Sequence, residues 1–126
     1  MKIFTVPFAL ALALAPVAAL AHGEAPRAAH GGIVREAQEL WLELVVKGTD
    51  VTVYVLDEFR RPVPASQVSG SATVLVGGKS YKVDLSPAGA DGVHGKLPVA
   101  ATDTVVATVS LNIGGKAASA RFTGKA

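Results

Sequence analysis

Three histidines, His22, His30 and His94, carry most of the chemistry this chain could perform, and each is followed by glycine. Imidazole is a ligand and proton acceptor near neutral pH, and a following glycine leaves the ring sterically open. His22 depends on where the chain starts. If it stands first after processing, its free amine and ring nitrogen can chelate one divalent ion together. If it stands third, the amine, two backbone amides and the imidazole can form a square-planar copper(II) or nickel(II) site. The chain has no cysteine and its single methionine is Met1. Nitrogen and oxygen donors then suit copper(II), nickel(II) or zinc(II) and disfavour copper(I). His30 and His94, with a carboxylate such as Glu24 or Asp57, could complete the shell if the fold brings them together. No H-x-x-H or C-x-x-C spacing is present, so a plainer account also fits. In it, His22 merely follows a cleavage site, His30 belongs to a polar loop and His94 faces solvent on an edge strand.

Catalytic arrangements are thin. There is no G-x-S-x-G elbow, no P-loop, no G-x-G-x-x-G after a strand and no H-E-x-x-H. Asp57-Glu58 is an adjacent acidic pair, whose side chains on a strand end point to opposite sides rather than flanking a substrate. A charged turn beside Arg60 and Arg61 accounts for it. The sequence therefore argues against an enzyme.

The elements that must position the histidines follow from patterning. Lys2 precedes an apolar run over residues 3–14, and Ala19-Leu20-Ala21 places small residues where signal peptidase cuts. Residues 1–21 are expected to be a cleaved signal peptide with His22 as the new N-terminus. Val17-Ala18-Ala19 offers a second cut that makes His22 third. The run is too short to span a bilayer, which takes about 20 apolar residues, and no later run is long enough. Neither a lipid-anchored cysteine nor stable membrane insertion is expected. Residues 22–32, rich in Ala, Gly and His, read as a flexible lead-in, and residues 33–126 as the folded domain.

From Glu39 onward the period is two. Leu40, Leu42, Leu44 and Val46 alternate with Trp41, Glu43 and Val45, and Val51, Val53 and Val55 alternate with Thr52, Tyr54 and Leu56. Lys47-Gly48-Thr49-Asp50 between them reads as a turn, making a hairpin. Gly77-Gly78 joins a second hairpin, 72–76 to 79–85, and Gly114-Gly115 a third, 104–113 to 116–123. Paired glycines admit the positive φ of a type I′ turn. Residues 86–92 read as a loop and 93–97 as a further short strand. β-Branched residues dominate and no amphipathic helix follows residue 21. The expected fold is all-β: a small antiparallel sandwich of about seven strands, immunoglobulin-like in architecture but without the Cys-Trp-Cys hallmark.

Composition bounds the partners. About 105 residues after cleavage make one domain, burying roughly two-thirds of the chain's surface. Without Lys2, eleven basic residues face ten acidic ones, so the pI of 9.1 reflects near balance and nucleic acid is not an expected partner. With no cysteine, burial alone must hold the fold. Trp41 shares a strand face with Glu43 rather than with the leucines, and Tyr54 lies along the neighbouring stretch. Both fit packing at the sandwich rim, or an exposed patch for a protein partner.

His30-Gly31-Gly32-Ile33-Val34, Leu42-Glu43-Leu44-Val45-Val46 and Val51-Thr52-Val53-Tyr54-Val55-Leu56-Asp57, followed by Pro62-Val63, resemble a group of small periplasmic proteins and adaptor-associated domains of bacterial heavy-metal efflux systems. Leu85-Ser86-Pro87 with Gly95 is similar to a loop of that group. The likeness covers residues 30 to about 97 and rests mostly on strand and turn residues. It implies a periplasmic β-domain associated with copper, zinc, cobalt or nickel handling, and of the histidines it carries over His30 alone. Two expectations follow. One is a periplasmic, or secreted, accessory protein that holds a divalent ion through His22 and His30 and passes it on. The other is a metal-free interaction module that docks on an efflux adaptor or other envelope protein by a strand edge or the Trp41 face.

Overall fold

The alternation of apolar and polar residues is realised as strands along nearly the whole described chain. The computed structural model describes residues 24–89 and 91–125; the expected signal segment 1–21, with His22, lies outside them. Seven strands form, β1 (Ile33–Ala37), β2 (Leu40–Leu56), β3 (Val68–Val76), β4 (Lys79–Pro87), β5 (Val93–Ala101), β6 (Thr104–Ile113) and β7 (Lys116–Lys125), with a short 3-10 turn at Ala65–Gln67. They join one antiparallel sheet in the order β1-β2-β5-β4-β3-β6-β7. The two end strands meet where Ile33 packs against Gly124, where even a methyl group would lie 2.4 Å from the isoleucine side chain. The sheet thus curls into a nearly closed barrel. The all-β, antiparallel, seven-stranded architecture is the expected one. No helix among the described residues is long and apolar enough to cross a membrane.

The expected turn at residues 47–50 is replaced by a bulge in one continuous strand. Leu42, Leu44 and Val46 face the core at even positions, and Val51, Val53 and Val55 at odd ones. Such a change of parity is produced either by a turn or by one extra residue in the strand. Here the register shifts between Gly48, opposite Ala101, and Asp50, opposite Lys96. Gly48 takes φ +60°, the left-handed conformation glycine adopts freely. The first half of β2 pairs with β1 and the second with β5. The hairpin lies one step earlier, at Gln38-Glu39, with Gln38 at φ +56°. Strand β1 has no glycine or asparagine turn signal after it, and its residues Ile33–Ala37 carry no period-two alternation. The Gly77-Gly78 and Gly114-Gly115 hairpins form in the expected register.

The inward residues make one core, with Phe122, Val51, Val53, Val74, Val93 and Val109 fully enclosed. Each such side chain contributes about 1.5–3 kcal/mol on leaving water. Among the described residues the weakest joint in the sheet is β4 to β5, which pair at Ser86–His94 and Pro87–Val93. Beside it Gly95 lets the strands approach closely, since a Cβ there would fall 2.4 Å from the Asp84 carbonyl oxygen.

Candidate functional site

The bulge aligns one outer face along β2. Residues 41, 43 and 45 point outward before it and 50, 52 and 54 after it, so Trp41, Glu43, Tyr54, Thr52 and Asp50 share that face. Residues 24–32 lie across it as a strap. Glu43 fastens the strap: its Oε2 accepts the backbone N–H groups of His30 and Gly32, both at 2.9 Å, and its Oε1 lies 2.9 Å from His30 Nδ1. The His30 ring stacks flat on Tyr54, with centroids 3.6 Å apart and planes 5° from parallel. Tyr54 in turn rests against Gly92, where a Cβ would come within 2.9 Å of the phenol ring. At the far end of the strap the Arg60 guanidinium donates to the Glu24 carbonyl oxygen.

The two glycines after His30 serve different needs. Gly31 has φ +74° in open space, so its requirement is conformational. Gly32 has no room for a side chain, because a Cβ would sit 2.3 Å from the Leu44 carbonyl oxygen. Together they bring both amides onto the carboxylate. Glu43 is 7 % exposed. Burial alone would push its carboxyl upward; the His30 ring hydrogen bond, the Gly32 and His30 amides and the His30 charge together hold it below its usual range. The side chain of His30 stays 44 % exposed, and its Nε2 makes no hydrogen bond among the described residues.

His94 occupies a second cluster. It lies opposite Thr52, as Lys96 lies opposite Asp50. Asp50 Oδ1 receives both Lys96 Nζ and His94 Nε2 at 3.0 Å. The Lys96 and then the His94 contact lower the Asp50 carboxyl. An open depression of about 330 Å³, lined by His30, Val45, Lys47, Asp50, Thr52 and Tyr54, runs between the two clusters. No group of three or more His, Asp or Glu side chains placed to hold a metal ion occurs among the described residues. His30 lines that depression and His94 is linked to it through Asp50, and the two form no ligand cluster among the described residues.

Three sequence expectations meet different surroundings. Asp57, offered as a metal carboxylate, is engaged in its own turn, accepting the Phe59 and Arg61 amides at 2.9 Å and Arg61 Nε at 3.0 Å; the Arg61 amide leads the contacts that lower its carboxyl. Trp41 and Tyr54 do share the outer face, but Trp41 is 7 % exposed and lines a small cavity together with Pro26 and Ala29 of the strap. Trp41 is thus buried on that face, whereas Tyr54 is half-buried and lines the open depression. The carboxylate that meets His30 is Glu43, which the sequence placed in that patch. Its signal was present, since Glu43 is the one charged residue within the apolar stretch 40–46. No known protein family, no curated protein and no solved structure matches the chain.

Proposed function

We propose that this chain is an exported, periplasmic accessory protein that binds copper(II), nickel(II) or zinc(II) and passes the ion on. His30 is the ligand offered by the folded domain, and His22 the ligand offered by the segment before it. The observation that carries the reading is the His30 ring, held by a buried carboxylate and a stacked phenol at the rim of an open depression, with one ring nitrogen that makes no hydrogen bond among the described residues. Metal-ligating histidines commonly have their other ring nitrogen held by a carboxylate, the arrangement His30 has with Glu43. His22 lies eight residues before His30 and two before Glu24, the anchored end of the strap. A site completed by a chain terminus exchanges its ion readily, which suits delivery rather than storage. His94 ranks below both, because its carboxylate partner Asp50 is half exposed and shared with Lys96, and the contact at Nε2 leaves only Nδ1, the nitrogen nearer the main chain, for a cation.

Docking on an efflux adaptor or other envelope protein through the Trp41 face would first require the strap to leave, so the metal reading takes precedence. The finer architectural reading, an immunoglobulin-like sandwich, draws support from the thin β4–β5 joint, which divides the sheet into β1-β2-β5 and β4-β3-β6-β7. Calorimetric titration of the secreted, tag-free protein with each of the three ions tests the function. Binding tighter than about 10 µM, a free energy near −7 kcal/mol, is expected for at least one ion. Weaker binding for all three refutes the proposal. Mass analysis of the secreted N-terminus decides whether His22 stands first or third.

A further inference from the structure

We propose that Glu43 is the positioning residue of His30: it fixes the ring as the Nδ1–H tautomer and so presents Nε2 alone as the donor to a divalent cation. The cation half of this inference rests on the metal-binding reading above, whereas the tautomer follows from the contacts alone. Glu43 Oε2 accepts two backbone N–H groups, and a carboxyl so placed is ionised at neutral pH and can only accept. Its other oxygen lies 2.9 Å from His30 Nδ1. Two acceptors at that distance would repel, so the hydrogen between them belongs to Nδ1. A half-turn of the ring would set a carbon against the carboxylate and forfeit the bond, while the Tyr54 stack at 3.6 Å fixes the ring plane. In a neutral imidazole the lone pair then resides on Nε2.

The same carboxylate makes Nε2 a better donor. A hydrogen bond from the non-ligating N–H to an anion raises the basicity of the ligating nitrogen and removes the rotational freedom that binding would otherwise cost. Glu43 also ties ligand and strap together, because the amides of His30 and Gly32 share its second oxygen. Metal affinity and strap seating must therefore respond together to changes at this residue.

Long-range proton–nitrogen NMR of the secreted, uniformly nitrogen-15-labelled protein reads the tautomer directly, with His30 assigned by its loss in His30→Ala. The expected wild-type result is the Nδ1–H form; an Nε2–H form overturns the proposal without any variant being made. Zinc(II) titration supplies the second arm. Glu43→Ala should bind zinc about 10–100-fold more weakly than wild type. Glu43→Gln, which keeps an acceptor for Nδ1–H, should recover part of that loss. Arg60→Ala, which frees the far end of the strap and leaves Glu43 untouched, should stay within about twofold. Equal weakening by Arg60→Ala and Glu43→Ala would mean that Glu43 acts only by holding the strap down, and would overturn the positioning role. Absence of binding of copper(II), nickel(II) and zinc(II) alike by wild type, with the Nδ1–H tautomer intact, would overturn the metal reading while supporting the tautomer assignment.

Discussion

Thirteen residues of sequence separate His30 from Glu43, yet one carboxylate meets the ring and two amides of the H-G-G loop. The pH dependence of the strap follows. Because contacts in the folded state hold the Glu43 carboxyl below its ordinary value of 4.5, its stabilisation is fully present above about pH 4.5 and is lost as pH falls through the folded value. Glu43 therefore keeps its charge at neutral to mildly acidic pH, and the strap stays seated there. Trp41 is the only tryptophan and lies beneath the strap, so its emission reports seating. The expected emission maximum is constant from pH 7 to about pH 5 and shifts to the red only below the ordinary carboxylate range. A red shift completed between pH 7 and pH 6 would show that Glu43 does not hold the strap. His30 was legible in the sequence as a candidate ligand because its chemistry is intrinsic to its type. Glu43 was legible only as a misplaced charge, since its partner is supplied by tertiary structure.

At the scale of elements, paired glycines made two hairpins readable, because few residues other than glycine supply two successive positive φ values cheaply. Gln38-Glu39 carries no such mark, and β1 went unread with it. The parity change in β2 was visible, but a turn and a bulge produce the same alternation. What distinguishes them is a second partner strand, β5, lying about 40 residues further on, and nothing local encodes it. The bulge also brings Glu43 and Tyr54 to the same outward face, so the site depends on it. Gly48 has open space around it and needs only its left-handed backbone. Gly48→Ala should therefore lower stability by about 1–2 kcal/mol, read as a lower urea midpoint with unchanged slope. A stability equal to wild type would mean that the bulge does not require this conformation.

For the whole molecule, closure is uneven. β3 is bonded along its length on both sides, to β4 and β6, whereas among the described residues β1 is paired with β2 alone and meets β7 through the Ile33–Gly124 contact. Hydrogen exchange should follow that inequality, with the amides of β3 and β6 protected longest and those of β1 opening by local fluctuation. Uniform protection around the barrel would indicate a closed β1–β7 ladder instead. A strap anchored beside the least secured strand can move without unfolding the core, which is compatible with taking up and releasing an ion. The central claim is that His30 is the domain's metal ligand, and the most direct test compares His30→Ala with His94→Ala in zinc(II) titrations of the secreted, tag-free protein. The account predicts that His30→Ala weakens binding by at least about 100-fold, some 2.7 kcal/mol, while His94→Ala stays within about twofold; equal effects of the two substitutions, or none from His30→Ala, would contradict it.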